Sequence, residues 1–226
     1  MSASRLQRIQ QVLNQRQPDL TAVMAGVHKE HNVSAVMRTC DAVGAWEIHS
    51  VGQDGRLVIK RTAAAGVQRW VRLHQHPDVA EGCRALRDRG FQLVAAHLCD
   101  EAVDFREVDY TRPTALVLGR EKLGVPEAAL AQVDTAIRIP MAGFTDSLNV
   151  SVAAAVVLYE AQRQRLEAGL YDQRRLDDET YRRTLFEWVQ PKIARYCRQR
   201  GLRYPELDDE GHVVGGIEAL QGVDAS

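Results

Sequence analysis

Residues 134–159, DTAIRIPMAGFTDSLNVSVAAAVVLY, decide how the rest of the chain is read. Thr135, Ala136, Ile137, Arg138 and Ile139 alternate as a short strand does, and the run stops at Pro140, which has no N–H to give a ladder. A loop containing Gly143 leads to Asp146, Ser147, Leu148 and Asn149, and from Val150 to Leu158 the side chains are almost all apolar. Ser147 or Asn149 can cap that helix, because either side-chain oxygen can accept from N–H groups left free in the first turn. A helix apolar nearly all round should lie buried, and this one turns polar only at Glu160. Strand, loop and buried helix with polar groups at its N-terminus make a place to hold a ligand. They also make an ordinary capped unit, so the neighbouring segments must decide.

The 226 residues suffice for one α/β domain with extensions or for two small domains. A composition of 45% hydrophobic and 26% charged residues is that of a globular protein. No apolar run reaches the roughly 18 residues that span a bilayer, and residues 1–17 lack the apolar centre of a signal peptide. Cys40, Cys83, Cys99 and Cys197 are widely separated and form no CxxC pair, so neither zinc nor a disulfide framework is expected, and a cytoplasmic location is. The net charge of −1 conceals an asymmetry. Residues 191–204 carry Lys192, Arg195, Arg198, Arg200 and Arg203 without an acid, whereas from Glu206 onward there are six acids and no Lys or Arg. Such clustering allows a nucleic-acid surface, and it equally describes a solvated helix face with an acidic tail.

Upstream of the decisive stretch, strands and helices alternate. Leu6, Ile9 and Leu13 give residues 4–16 a helical stripe that ends near Pro18. A strand is expected over Thr21–Val27, a helix over Val33–Val43 closed by Gly44, and a strand over Trp46–Val51. A short helix is expected within 56–66, a strand over Trp70–His74, and a helix over Asp78–Arg89 closed by Gly90. Strands at Phe91–Leu98 and Thr114–Gly119 and a helix over Pro126–Val133 complete the core, with Pro at the first helical position. This alternation predicts a parallel sheet covered on both faces. Beyond Arg165 the chain reads as charged and helical, with Tyr181, Leu185, Trp188, Ile193 and Tyr196 available for packing. The expected divisions are a helical extension over 1–18, the α/β domain over 19–166 and a helical extension with an acidic tail over 167–226.

Two more segments join the first at strand ends. In HNVSAVMRT (31–39), Asn32 and Arg38 stand six apart, about 240° around a helix, so Asn32 suits the cap and Arg38 another face. In LVLGREKLG (116–124), an apolar strand runs directly into Gly119, a charged trio and Gly124. Ligands of open α/β sheets bind beyond the carboxyl ends of the strands. Gly119 and Gly124 would let backbone approach a ligand there, and Glu121 could accept from a hydroxyl or pin a cation. Neither GxGxxG nor GxxxxGK[ST] nor GxSxG follows a strand, which argues against a dinucleotide site, a phosphate loop and a hydrolase nucleophile. His28 and His31 form HxxH, but no carboxylate or Cys cluster accompanies them, so no metal is expected.

The three segments, in this order, resemble the three motifs of the SpoU/TrmH group of SPOUT methyltransferases: Asn32 to Arg38, Leu116 to Gly124, and IPMAGFTDSLNVSVA over 139–153. The resemblance extends through RQPDLT (16–21), VDFREVDYTRPT (103–114) and LYEAQRQR (158–165), and covers about Arg16 to Tyr171. It implies an α/β fold with a parallel sheet, helices on both faces and a C-terminal trefoil knot. It implies S-adenosylmethionine bound in the knot through main chain and apolar contacts, at Ala96, Gly119, Ile139, Met141 and Leu148. Arg38 is expected to be catalytic, with Asn32, Glu121, Ser147 and Asn149 building the site near the interface of a homodimer. The implied activity is metal-free 2′-O-methylation of tRNA ribose at the D-loop guanosine 18. An rRNA ribose methyltransferase and an RNA-binding protein without catalysis stand as alternatives. Clustered charge then points to Arg5, Arg8, Arg16, Lys192, Arg195, Arg198, Arg200 and Arg203 as the RNA-holding surface. Arg38 could act as base or as a fixed cation, and an arginine pKa above about 12 favours the cation.

Overall fold

The computed structural model describes residues 3–27, 29–51, 66–120 and 123–215. The chain forms two compact units, one of Gln17–Asp172 and one that joins Met1–Arg16 to Gln173–Ser226. The strands are β1 (Leu20–Ala25), β2 (Glu47–Val51), β3 (Arg72–His76), β4 (Gln92–Ala96), β5 (Val103–Asp104), β6 (Thr114–Leu118) and β7 (Thr135–Arg138). The helices are α1 (Ala3–Asn14), α2 (Glu30–Ala42), α3 (Val79–Asp88), α4 (Glu127–Leu130), α5 (Val150–Glu167), α6 (Asp178–Val189) and α7 (Pro191–Arg200).

The larger unit is a sheet in the order β3-β2-β1-β6-β4-β7-β5, and every pairing is parallel. The central strands are apolar on both sides because both sides are covered. Leu20, Ala22 and Met24 of β1 and Leu116 and Leu118 of β6 join one core cluster with α2 and α5. The alternate residues Val23, Ala25, Ala115 and Val117 join a second cluster with Val79, Cys83 and Leu86 of α3 and Ala129 of α4. The period of two along each strand thus supplies both layers.

The structure corrects several sequence expectations. Strand β5 was not anticipated; two residues are too few for a periodic signal, and β5 exists by pairing Val103 and Asp104 with Ile137 and Arg138. Helix α2 begins at Glu30 with Lys29 at its cap, so Asn32 lies within the first turn instead of at the cap. Helix α4 is one turn long, with Pro126 just before it. The short helix expected within 56–66 falls, except for Gly66, outside the described residues. Helix α5 is not buried all round. One side packs on α2 and the sheet, while Val152, Tyr159 and Leu166 are 47%, 51% and 53% exposed.

In the smaller unit α6 packs on α1 and on α7. Leu6, Ile9 and Leu13 of α1 are buried, as are Phe186, Val189, Ala194 and Cys197. The Asp177 carboxylate caps α6 by accepting from the Thr180 N–H, Pro191 opens α7, and Gly201 closes it at φ 68°. Phe186 stacks on Tyr204 with ring centroids 4.7 Å apart.

Candidate active site

Because all seven strands run the same way, their carboxyl ends share one edge of the sheet, and the three motifs meet there. Asn149 is the cap of α5, the choice the sequence had left open between it and Ser147. Its Oδ1 accepts from the Ser151 N–H at 2.9 Å and from the Ser151 hydroxyl at 2.6 Å. Its Nδ2 donates to Oδ1 of Asn32 at 3.3 Å. This bond joins the first motif to the third across 117 residues of sequence. Asn32 is buried, so the bond satisfies an acceptor that water does not reach. Arg38, farther along α2, is exposed, and among the described residues its side chain has no hydrogen-bond or ion-pair partner. Ser147 is exposed in the loop between β7 and α5, where its carbonyl accepts from the Thr145 hydroxyl at 2.9 Å.

The second motif forms a closed turn. Arg120 N–H donates to the Gly124 carbonyl and Gly124 N–H to the Arg120 carbonyl, each at 2.8 Å. A Cβ on Gly119 would lie 2.2 Å from the backbone of Gly124 and Val125. Gly119 is therefore required by the closure of its own turn, a tighter constraint than the ligand approach the sequence suggested. Gly124 itself has φ +67°, the left-handed region that glycine enters without cost. The stem of Arg120 crosses Gly26, just past β1, where a Cβ would lie 2.8 Å from the Arg120 Nε. Glu121 and His28 lie outside the described residues.

The expected cofactor contacts lie at the same edge. Ala96 ends β4, paired with Ile137 of β7. Ala96 and Ile139 are partly buried against the core, while Met141 and Leu148 are half-buried in the following loop. Leu98, Leu123 and Phe144 are all exposed on loops that follow β4, β6 and β7. Three consecutive carboxyl-edge loops that each present a large apolar side chain make a rim suited to an apolar-faced ligand or a partner surface.

The basic residues divide. Arg5, Arg8, Lys192, Arg195, Arg198, Arg200 and Arg203 are exposed on the smaller unit. Arg198 is held by Glu187 at 3.0 Å, and Arg200 lies 4.0 Å over the Tyr196 ring. Arg16 departs from the expectation: it is fully buried, with its guanidinium 5.6 Å from the Trp188 ring centroid. An enclosed guanidinium cannot neutralise a phosphate, so Arg16 drops out of the surface set.

Two polar clusters escaped the sequence reading. Arg165, at the far end of α5, is fully buried and binds Asp19, Gln17, Tyr110 and Arg112. On the outer strands, Glu47 meets Arg89 at 2.5 Å, His74 at 3.0 Å and His49 at 3.3 Å, and His49 Nδ1 lies 2.8 Å from His76 Nε2. Burial pushes the Glu47 carboxyl up, but hydrogen bonds from His49, His74 and Arg89 outweigh it and hold the group well below the usual carboxylate range. Burial, with repulsion from His49 and His74, lowers His76. Glu47 and His49 alternate on β2 and His74 and His76 on β3, a weak signal in each strand, and only the register of β2 on β3 brings the rings together. Among the described residues no group of His, Cys, Asp or Glu is arranged to hold a metal ion, and no helix is long and apolar enough to cross a membrane.

Residues 19–159 match the SpoU rRNA methylase family, and residues 163–215 match the SpoU rRNA methylase C-terminal family. The chain belongs to the SpoU methylase family. Among SpoU-family relatives it is 55% identical to the tRNA (guanosine(18)-2′-O)-methyltransferase of Thermus thermophilus, over 82% of this chain and 96% of that protein. It is 46% identical to the enzyme of the same description from Escherichia coli, over 94% of both chains. A 23S rRNA (guanosine-2′-O-)-methyltransferase of Ralstonia nicotianae is 36% identical over 66% of this chain and 60% of that protein. Of solved SpoU structures, the A. aeolicus TrmH/SpoU tRNA modifying enzyme superposes with a TM-score of 0.78 at 41% identity, covering 84% of this chain and 97% of that one. An AdoMet-bound rRNA methyltransferase from Sinorhizobium meliloti superposes at 0.59 with 30% identity, covering 68% of this chain and 59% of that one.

Proposed function

We propose that this SpoU-family protein is an S-adenosylmethionine-dependent tRNA ribose 2′-O-methyltransferase acting at guanosine 18 of the D-loop. The observation that carries the choice of tRNA is coverage. The Escherichia coli tRNA enzyme matches 94% of both chains, so the likeness includes most of the terminal unit, whereas the rRNA enzyme matches only 66% of this chain. We read residues 19–166 as the methyltransferase domain and residues 1–18 and 167–226 as the extensions that hold RNA through Arg5, Arg8, Lys192, Arg195, Arg198, Arg200 and Arg203. The four free cysteines fit a reducing, cytoplasmic compartment.

The residues present suit the cofactor. Ala96, Ile139, Met141 and Leu148 offer partly open apolar surface at the carboxyl edge, and the turn closed on Gly119 holds β6 backbone against it. S-adenosylmethionine supplies a methyl group on a sulfonium, which makes it electrophilic without a metal. The chain's own residues must fix the ribose hydroxyl and stabilise charge as it develops on oxygen. Arg38, exposed farther along α2 from the Asn32–Asn149 pair and without a partner among the described residues, can present its planar fork to that oxygen or to the adjoining phosphate. The hydroxyl proton passes to water or another group. Asn32 and Asn149 fix α2 against the start of α5, and Ser147 and Glu121 are read as further residues of the site.

The order β6-β4-β7, in which β7 is laid outside β4 after β6 has been placed on its other side, supports a C-terminal trefoil knot. Val152, Tyr159 and Leu166 recur every seven residues along α5 and leave an apolar stripe that supports a homodimer. Incubating the purified protein with unmodified tRNA and methyl-labelled cofactor, then mapping the 2′-O-methyl group, tests the reading. Label at position 18 is the expected result. Label at another nucleotide, or only in 23S rRNA, overturns it.

A further inference from the structure

We infer that Arg120 binds a backbone phosphate of the RNA substrate at the active site. The inference rests on the methyltransferase reading above and adds a substrate contact to it. Arg120 follows β6, a central strand, directly at the edge where the three motifs meet. Its backbone is held by two 2.8 Å hydrogen bonds with Gly124, and Gly124 and Val125 lie so close to Gly119 that a Cβ there would stand 2.2 Å from them.

The side chain is fixed as well. Its Cγ and Nε would stand 3.2 and 2.8 Å from a Cβ at Gly26, so the absence of that Cβ is what lets Arg120 lie flat there. Gly26 has φ +83°, which independently favours glycine. The Nε is enclosed and has no hydrogen-bond partner, and no acid among the described residues pairs with the guanidinium. Enclosing a charge-bearing donor without a partner is unfavourable. The residue as a whole is only half-buried, so it is the two terminal nitrogens, and not the enclosed Nε, that an anion can reach; phosphate matches that end of the fork.

The two anions available in this reaction are RNA phosphate and the amino-acid carboxylate of the cofactor. Topology separates them. Strand β6 lies between β1 and β4. Of the expected cofactor contacts, Ala96, Ile139 and Met141 lie on the β4 and β7 side, and Gly119, which precedes Arg120, has no side chain and offers only main chain. Arg120 leans the other way, over Gly26 at the end of β1, and from Gly26 the chain runs into α2 with Asn32 and Arg38. Arg120 therefore stands with the group proposed to handle the ribose.

The test is tRNA binding at several salt concentrations, with cofactor affinity measured in parallel. Arg120→Met keeps the stem across Gly26 and removes the charge. It should raise the tRNA Kd about tenfold at low salt, as loss of one charge-assisted contact does, and lower the slope of log K against log salt by about 1. Cofactor affinity should stay at the parent value. Arg120→Lys should keep the salt slope while losing affinity, because the point charge remains and the fork does not. Should Arg120→Met melt early, Arg120→Gln compared with Arg120→Lys carries the same comparison. Unchanged tRNA affinity and slope would overturn the inference, and so would a loss confined to cofactor affinity, which would assign the charge to the carboxylate. If the parent protein methylates position 18 and only the Arg120 variants behave like it, this inference fails alone. If the parent leaves position 18 unmethylated, the functional reading fails first.

Discussion

The two ends of α5 use polar side chains in opposite ways. The helix is 18 residues long, about 27 Å at 1.5 Å per residue, and it reaches from the carboxyl edge of the sheet to the amino edge. At the amino edge Arg165 places all five of its N–H donors. Nε donates to the Tyr110 carbonyl at 2.9 Å, Nη1 to Gln17 at 3.1 Å and Asp19 at 2.7 Å, and Nη2 to the carbonyls of Asp19 at 3.0 Å and Arg112 at 2.9 Å. Arg120 at the carboxyl edge and Arg38 farther along α2 have no side-chain partner among the described residues. A guanidinium with every donor satisfied ties segments together and has nothing left for a ligand. One held in place with donors unspent is ready to receive an anion.

The sharpest way to break this contrast is to exchange the two kinds of arginine. Arg165→Leu removes five buried hydrogen bonds and the pair with Asp19, and should cost about 3–5 kcal/mol of unfolding free energy in urea titration. A loss under 1 kcal/mol would mean that the amino edge is not held by Arg165. Arg38→Ala should leave the melting temperature within a degree or two of the parent and reduce turnover about 100- to 1000-fold, the scale of losing one electrostatic contact to developing charge. Turnover close to the parent would remove Arg38 from the chemistry. Arg38→Lys refines the point: a fork role predicts near-complete loss at every pH, a base role appreciable activity that rises with pH.

Asn149→Ala probes the junction, since Asn149 belongs to the working edge yet holds structure. Losing the cap should cost about 1 kcal/mol, and the melting curve should record it together with reduced turnover as α2 loosens from α5. Normal stability with normal turnover would separate the Asn32–Asn149 bond from the site. Arg195 and Arg198 represent a third use, exposed on the smaller unit. Reversing both to Glu should weaken tRNA binding several-fold with a shallower salt dependence and no change in cofactor affinity; unchanged tRNA affinity at low salt would sink that surface.

The smallest expected effect lies at the outer strands. The folded pKa of His76 is lowered, by burial first and then by His49 and His74, against weaker pulls from Glu81 and Asp78. A lowered histidine value means the unfolded chain takes up the proton first. Its contribution to stability is therefore full above the unfolded value of about 6.5 and declines as pH falls from there toward the folded value. Glu47 has the opposite sign of charge but the same direction: its lowered carboxyl stabilises above about 4.5, so it is constant over that range and lost only in stronger acid. Urea midpoints between pH 7.5 and 5.5 should fall slightly for the parent and less for His76→Gln. Equal slopes would show that His76 does not govern this window.

Much of this was legible from local pattern. The β7–loop–α5 unit, a polar cap at Ser147 or Asn149 and the strands that flank the motifs follow from periodicity and from the residues that stop it. What could not be read depends on partners remote in sequence. Arg16 looks like any basic residue at a helix end, yet it is fully buried and lies over Trp188, 172 residues later. Arg165 sits in a charged run that reads as helix surface, yet its acceptors come from segments 53 to 148 residues away. Gly119 was understood as room for a ligand because a sequence does not reveal that Gly124 and Val125 fold back onto it. The exposed stripe on α5 misled in the other direction, since apolarity alone does not say whether the covering surface belongs to the same chain.

The strand order sets a timetable for synthesis. The central pair β1 and β6 joins Leu20 to Thr114, and Asp19 must wait for Arg165, 146 residues later. At about 20 residues per second a ribosome needs at least about 7 s to make that intervening chain, and several times longer at slower rates. Until β6 emerges at Thr114, β1, apolar on both sides, has only β2 as a neighbour already made that will stay beside it. Non-local parallel pairing of this kind folds slowly in any case. The nascent protein therefore carries an apolar strand without its central partner until β6 has emerged, and shielding of residues 20–25 during translation bears on its yield.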